Sequence, residues 1–336
     1  MKIHKPFLKW VGGKNKLLNQ ILPKIPKKIE NYHEIFLGGG SVLFALLSYQ
    51  KYDLIQIKGG IYAYDYNKAL INLYLSIKTD VEQLIVNLNE LKTEYYNIIT
   101  NTNKTRWKSK LLNSENYNST KEHYYYWIRD KFNLKKINGE YDTTMAAYML
   151  FLNKTGFKGM YREGKNGCLN IPYGLKDRKE GGTFPAIFDE THLKKTSILI
   201  KNVIFEHSSY CDSIVRTTNG DFVYLDPPYV PITATSFTTY TVDGFTDKNH
   251  DELFNLIKEL DNKNVKFLMS NHKADKVLNA FKSTKYNTDF ITVRRAIHSK
   301  NPGKTEKEVL IGNNKINKIE ILWRGRWKVF NKLGIN

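Results

Sequence analysis

The tetrapeptide Asp226-Pro227-Pro228-Tyr229 directly follows a short apolar run, Phe222 to Leu225. The run has the composition of a buried strand. It must end at Asp226, because two consecutive prolines cannot donate hydrogen bonds to a neighbouring strand. In open α/β sheets, ligands bind at the carboxyl ends of the strands. The sequence therefore predicts an α/β fold with a carboxylate and an aromatic ring at such an edge.

These side chains suit chemistry on the exocyclic amine of a nucleobase. Such an amine is a poor nucleophile, because its lone pair is delocalised into the ring. A carboxylate and a backbone carbonyl that accept its two N–H bonds would favour a tetrahedral nitrogen, and an aromatic ring could stack on the base. An ordinary strand that ends in a Pro-Pro turn explains the four residues alone equally well.

The charge of the chain indicates its class of partner. Lys and Arg number 52 against 33 Asp and Glu, a net charge of +19. This excess favours nucleic acid first and an anionic membrane second, although an AT-rich genome would explain part of the lysine content. Cys168 and Cys211 show no metal-ligand spacing, which favours a reducing compartment and no metal site. Because no apolar run approaches about 18 residues, we expect an intracellular, cytoplasmic protein without a membrane segment.

Glycine turns mark two further stretches near the N-terminus. Lys14 follows Gly12-Gly13 at a predicted helix start, where it could bind a carboxylate or phosphate; a solvated lysine beside an ordinary turn is the simpler interpretation. Residues 33–36 read as a short strand, 37–41 as a glycine turn and 42–47 as the start of a helix. A second strand, 61–64, ends at Asp65, which could bind ribose hydroxyls. This order predicts a nucleotide-type site.

The middle of the chain changes character. Residues 68–99 and 143–152 have helical periodicity, whereas the polar stretch 100–122 reads as a loop or insertion. Residues 153–174 interleave glycine, basic and aromatic residues over a predicted β-hairpin, which would fit a DNA major groove; a plain surface hairpin is the alternative. Residues 293–308 form a basic segment, and a last strand is predicted at 309–311.

Eight segments, in this order, resemble the Dam-type (class alpha) family of DNA adenine-N6 methyltransferases. They are FLKWVGGK (7–14), FLGGGS (36–41), Asp65 with Asn67, GFKGMYR to LNIPYG (156–174), FVYLDPPY (222–229), SFTTYT (236–241), SNH (270–272) and VRRAIHS (293–299). The resemblance implies a doubly wound, Rossmann-like methyltransferase sheet with an inserted helical target-recognition domain that bears the β-hairpin. The S-adenosylmethionine-binding catalytic domain would comprise 1–85 and 196–314, the target-recognition domain 86–195, and 315–336 would form a basic C-terminal tail.

The resemblance also implies roles for individual residues. Asp226, Pro227 and Tyr229 would be catalytic and hold a flipped adenine. S-adenosylmethionine would be bound by Trp10, Lys14, Phe36, Gly38, Gly40, Asp65, Ser209, Tyr210 and Asp226. Double-stranded DNA, with GATC as target, would be contacted by Lys9, Phe157, Lys158, Met160, Arg162, Pro172, Tyr240, Arg294 and Arg295. The protein is expected to act as a monomer, and the sequence leaves open a separate cognate restriction endonuclease.

The sequence departs from the family pattern at a few positions, and these departures bear on the recognition of the target bases more than on methyl transfer. Ile35 stands where the family usually has Pro, Ser209 where many members have Asp, and Lys158 where Asn is often seen; Glu163-Gly164 also differs. Two other classes of protein also fit parts of this pattern. Other methyltransferases with an (Asp/Asn)-Pro-Pro-Tyr motif act on cytosine N4, RNA or a protein glutamine, and a silent DNA-binding protein could keep the fold. The basic hairpin disfavours the glutamine enzymes, and the intact motif residues disfavour the silent protein.

Overall fold

The structure, a computed structural model, describes residues 2–98, 119–174, 186–231, 244–294 and 305–314. Their strands, in chain order, are β1 (Lys28–Ile29), β2 (Tyr32–Glu34), β3 (Gln56–Ile57), β4 (Ile61–Asp65), β5 (Val203–His207), β6 (Phe222–Leu225), β7 (Lys266–His272), β8 (Asn287–Arg294) and β9 (Thr305–Gly312). Strands β1 and β3 pair separately, and the others form one sheet in the order β5-β4-β2-β6-β7-β9-β8. The neighbouring pairs β5-β4, β4-β2, β2-β6 and β6-β7 are all parallel. Strand β9 runs antiparallel to both of its neighbours, β7 and β8.

Helices cover both faces of this sheet. In chain order they are α1 (Leu18–Ile21), α2 (Ser41–Lys51), α3 (Lys68–Thr79), α4 (Val81–Asn97), α5 (Lys121–Ile137), α6 (Thr143–Thr155), α7 (Glu190–Leu199), α8 (Tyr210–Val215), α9 (Asp247–Asn262) and α10 (Asp275–Ala280), with 3₁₀ turns at Lys14–Lys16, Leu22–Lys24 and Phe157–Gly159. Among the described helices, none is long and apolar enough to span a bilayer.

Two hydrophobic clusters flank the sheet because successive strand side chains point to opposite faces. On β6, Tyr224 packs into the cluster that contains α2 and α3, whereas Val223 and Leu225 pack into the cluster beneath α9 and α10. Burial on both faces explains why β6 reads as a continuous apolar run. The prediction of an α/β fold around a mostly parallel sheet is confirmed.

The helical elements refine the sequence prediction in two places. The helix predicted over 68–99 is two helices, which break at Asp80; Asn67 caps α3 by accepting a hydrogen bond from Leu70 N. Helix α5 was not anticipated, and it begins within the polar stretch 100–122, most of which lies outside the described residues. Thr120 caps α5 by accepting a hydrogen bond from His123 N.

Residues 156–174, named the reading loop for the DNA contact that the family resemblance implies, fold back on themselves without the regular ladder of the predicted β-hairpin. Antiparallel bridges join Gly156 to Tyr173 and Glu163 to Leu169. Helix α5 holds the loop instead: Asn133 exchanges hydrogen bonds with both backbone groups of Leu169. The core of α4–α6 is continuous with that of α2 and α3, and the division into a catalytic and a target-recognition domain remains a prediction.

Candidate active site

The sheet brings three predicted segments to one edge. Strand β6 lies beside β2, which in turn pairs with β4, and all three are parallel. Their carboxyl ends therefore open on the same side. Asp226 follows β6, the glycine turn at 37–41 follows β2, and Asp65 ends β4. This juxtaposition places the predicted carboxylate beside the predicted nucleotide-type site.

Lys14 contacts Asp226 directly. Its Nζ lies 2.7 Å from Asp226 Oδ2 and donates a second hydrogen bond, also 2.7 Å, to the Gly12 carbonyl. The same ammonium lies 4.9 Å from the centre of the Tyr229 ring. The side chain of Lys14 is 5% exposed and that of Asp226 20%, so the ion pair is largely shielded from water and screened weakly by salt. The sequence allowed a carboxylate or phosphate partner for Lys14 but favoured a solvated lysine, and it did not point to Asp226.

The other oxygen of Asp226 differs from the one that Lys14 holds. Oδ1 is buried and accepts no hydrogen bond in the described part of the chain. Burial raises the pKa of Asp226, Lys14 opposes this effect, and the nearby carboxylate of Glu308 adds to it. A buried acceptor without a donor is costly. The arrangement is therefore suited to a ligand that brings an N–H donor to Oδ1.

Tyr229 is held at its hydroxyl and by a neighbouring ring. Its Oη donates to Glu308 Oε2 at 2.9 Å, and the His272 ring packs against it edge-on at 4.7 Å. The following residue is fixed as well, because Asn271 Oδ1 accepts from Val230 N and the His272 ring binds the Val230 carbonyl. In the sequence, Asn271-His272 stands out only as part of the SNH segment, 270–272, that resembles the family. Nothing in the sequence marked Glu308, which is 79 positions from Tyr229.

Asp65 braces the glycine turn. Oδ2 accepts from Gly38 N and Oδ1 from Asn67 N, each at 2.9 Å. Burial raises the pKa of Asp65, and these two amides oppose the shift. A carboxylate has about four lone-pair sites, so acceptor capacity remains for ligand hydroxyls. Gly38 has a φ of +49°, and a Cβ there would lie 3.0 Å from the Trp10 ring. The structure thus joins Trp10, Gly38 and Asp65 in one site.

We expect Gly40→Ala to destabilise the fold more than an equivalent substitution elsewhere. Gly40 has a φ of +68°, and its Cβ would lie 2.7 Å from Tyr74 Oη. Gly139 is the matched control, because its φ is +72° but no atom lies within 4 Å. The left-handed backbone alone should cost about 1–2 kcal/mol in Gly139→Ala, and the contact should add about 1–3 kcal/mol in Gly40→Ala. Urea unfolding measures both; equal losses would contradict the steric argument.

An aromatic group includes Phe36, the residue that directly precedes the glycine turn. Phe36 and Tyr210 stack with centres 6.0 Å apart, and Phe245 lies against both. Tyr210 Oη donates to Glu252. Ser209 caps α8, since its Oγ accepts from Asp212 N. The rings offer a stacking surface for a flat ligand, while the Ser209 hydroxyl is already engaged in the cap.

Asn153 connects the N-terminal segment to the reading loop. Its side chain accepts from Lys9 N at 3.0 Å and donates to the carbonyls of Lys9 and Gly159 at 2.7 and 3.0 Å. Trp10 also stacks on Tyr161, with ring centres 5.8 Å apart. Sequence reasoning assigned no role to Asn153 or Tyr161, because each acts through residues far away in the chain. Together they hold Lys9 beside the loop.

The predicted DNA-binding residues fall into two groups. The described ones lie on or beside the reading loop: Lys9, Phe157, Lys158 and Pro172 are exposed, and Met160 and Arg162 are partly buried. Arg162 Nε donates to Asn170 Oδ1 at 2.8 Å. Arg294 ends β8, and only its strand position is described. Tyr240, Arg295 and the 315–336 tail lie outside the described residues.

Comparison with known proteins gives concordant matches. The family described as D12 class N6 adenine-specific DNA methyltransferase matches residues 10–296. A type II methyltransferase, M.MjaIII of Methanocaldococcus jannaschii, is 37% identical over 80% of this chain and 84% of its own length. The DNA adenine methylase of Escherichia coli K12 is 30% identical over 92% of this chain and 94% of its own length.

Proposed function

Because this chain belongs to the D12 class of N6 adenine-specific DNA methyltransferases, we propose that its site takes a flipped adenine and S-adenosylmethionine, with GATC as target sequence. The enzyme methylates adenine in DNA, and its family uses S-adenosylmethionine as methyl donor. The roles of individual residues, the extrusion of the base and the target sequence are the parts that we propose.

The observation that carries this proposal is the buried, unpartnered Oδ1 of Asp226. Adenine N6 presents two N–H bonds, and a carboxylate oxygen that accepts no hydrogen bond from the described residues is a ready acceptor for one of them. A base inside the duplex cannot reach a buried oxygen, so the target nucleotide must leave the stack. The energy of unstacking is recovered in part when the base packs on Tyr229, a ring that the protein already holds in place.

The side chains around N6 then act as acceptors. Asp226 Oδ1 and the carbonyl of Pro227 would accept the two N–H bonds, which localises the nitrogen lone pair. When bound, S-adenosylmethionine supplies an electrophilic methyl group. As the nitrogen becomes positively charged, the Asp226 carboxylate stabilises that charge in a site with little water. Lys14 holds Oδ2 and leaves Oδ1 for the base.

The described residues fit the methyl donor. Trp10 packs directly on the glycine turn, because a side chain at Gly38 would meet its ring. Asp65 retains acceptor capacity for ribose hydroxyls, and the rings of Phe36 and Tyr210 offer a surface for an adenine. The ammonium of Lys14, which already binds Asp226, would also attract the carboxylate of S-adenosylmethionine. Ser209 contributes through the helix cap that it forms next to Tyr210.

The reading loop would supply sequence recognition within the proposed target-recognition domain, 86–195. By the family resemblance, Lys9 would contact the first guanine of GATC, and Arg162 the guanine opposite the last cytosine. Met160 and Pro172 would contact the thymine methyl groups, which are readable in the major groove. Phe157 is exposed, as a wedge into the duplex must be. One relative is a type II methyltransferase, which supports a cognate restriction endonuclease as partner.

Methyl incorporation into short duplexes tests the proposal. We expect a duplex with GATC to be methylated at its adenine, and duplexes with GATG or GATATC at least about tenfold more slowly, since one mismatched base pair typically costs about 1–3 kcal/mol. Methylation-aware sequencing of plasmid DNA from expressing cells identifies the modified base independently. Equal rates on GATC and GATG, or activity confined to GATATC, would contradict the proposed target while leaving adenine methylation intact.

A further inference from the structure

Glu308 lies at the active site without a role in either the sequence motifs or the proposed chemistry. It is on β9, opposite His272 on β7, and is 6% exposed. Its Oε2 accepts the 2.9 Å hydrogen bond from Tyr229 Oη. A carboxylate is rarely buried unless a donor or a charge partner holds it. The bond to Tyr229 therefore links β9 to the tetrapeptide after β6.

We propose that Glu308 is a positioning residue for methyl transfer, which fixes the position of the Tyr229 ring through this buried hydrogen bond. The inference rests on the proposed function, in which Tyr229 stacks on the flipped adenine. An aromatic ring anchored only at Cβ can rotate about its side-chain bonds. A bond at the hydroxyl, which lies on the Cβ–Cγ axis at the far end of the ring, restricts rotation about Cα–Cβ and so fixes where the ring lies. The edge-on contact with the His272 ring restricts rotation of the ring plane.

The contact of Tyr229 with His272 supports this assignment. The two rings meet at 72° with centres 4.7 Å apart, and the His272 ring is itself bound to the Val230 carbonyl. Tyr229 is thus restrained by Glu308 at its tip and by His272 at its side. A misplacement of about 1 Å at a reacting centre can cost about a hundredfold in rate, so an anchor of this kind has kinetic consequences.

The charge of Glu308 should also affect how methyl transfer depends on pH. Asp226 is surrounded by the ionisable groups Lys14, Glu34, Tyr224, Tyr229 and Glu308. Burial is the largest cause of its raised pKa, Lys14 lowers the pKa, and Glu308 raises it. Because the reaction needs the Asp226 carboxylate, activity should fall as the pH drops through this pKa. Removal of the Glu308 charge should lower the pKa and move the acidic limb of the profile to lower pH.

The experiment compares Glu308→Gln and Glu308→Leu with Tyr229→Phe and the Glu308→Leu/Tyr229→Phe double variant. Gln keeps an acceptor for Tyr229 but loses the charge, so we expect the shifted acidic limb with a smaller loss of rate. Leu and Phe each break the bond, so each should lower single-turnover methyl transfer about tenfold, the size expected for one hydrogen bond to a charged group. Because both substitutions break the same hydrogen bond, the double variant should lose no more methyl-transfer rate than either single variant.

Controls separate this inference from the proposed function and from misfolding. Glu259→Gln removes an exposed carboxylate on α9 and should change neither rate nor pH profile. Thermal unfolding identifies any variant that has lost the fold, and Glu308→Gln preserves volume and hydrogen bonding if Leu does not fold. If Tyr229→Ala is fully active, the proposed role of Tyr229 fails. If Tyr229→Ala is inactive but the Glu308 variants keep the wild-type rate and pH profile, only the positioning role of Glu308 is overturned.

Discussion

Asp226→Ala should lower methyl transfer at least about a hundredfold while leaving the affinity for S-adenosylmethionine largely unchanged. The substitution removes the acceptor that we propose for adenine N6, and the loss of one such partner in a water-excluded site typically costs about 10²–10³ in rate. It also leaves the Lys14 ammonium without the carboxylate that lies 2.7 Å away. Single-turnover transfer of a labelled methyl group to a GATC duplex measures the rate, and calorimetry measures cofactor binding.

Asp226→Asn isolates the charge from the shape of the side chain. Asn keeps one oxygen in place but cannot stabilise a positive nitrogen as a carboxylate does, so we expect a loss of similar order. Asp275→Asn, at an exposed position on α10, is the matched control for removal of a carboxylate and should be active. If Asp226→Ala turns over at nearly the wild-type rate, Asp226 takes no part in methyl transfer.

Arg162→Ala should relax discrimination at the final base pair of the target about tenfold to a hundredfold. A bidentate arginine–guanine contact is worth about 1–3 kcal/mol. Arg162 binds Asn170 through Nε, and in the described part of the chain its two terminal nitrogens have no protein partner, so they are available to guanine. The ratio of kcat/KM on GATC to that on GATG measures the effect.

Two further variants define what Arg162 contributes. Arg162→Lys keeps the charge but lacks the planar fork, so it should lose discrimination while retaining most of its affinity for DNA. Lys165→Ala removes an exposed cation from the same loop and should weaken binding to both duplexes alike, because a phosphate contact carries no sequence information. An unchanged ratio in Arg162→Ala would exclude Arg162 as the reader of that base pair.

The parts of the site that sequence analysis anticipated have local signals. An apolar run before Asp226, a glycine turn after a short strand and an acid at the end of the next strand each appear within a few residues. Parallel strands then bring these ends together without further information. By contrast, the bonds of Lys14 to Asp226 and of Tyr229 to Glu308 join distant segments, and no spacing in the sequence encodes them.

Helix α5 shows a different limit of prediction from sequence. Its buried face consists of His123, Tyr124, Tyr125, Ile128 and Phe132. Histidine and tyrosine carry polar atoms, so the helical period is weak when only aliphatic residues are counted. One of those atoms is satisfied by the reading loop, since Tyr125 Oη donates to the Ile171 carbonyl. The buried face of α5 thus supports the reading loop, which lacks a ladder of its own.

The long-range bonds around the site also bear on how the enzyme matures. Asn153 reaches Lys9 across 144 positions, and Glu308 reaches Tyr229 across 79. Contacts of such high contact order require the closure of large chain loops and form slowly. A chain still on the ribosome lacks β9 until nearly all of its described residues have been synthesised. We therefore expect the catalytic centre to be among the last parts to assemble, so that an incomplete chain leaves DNA unmodified.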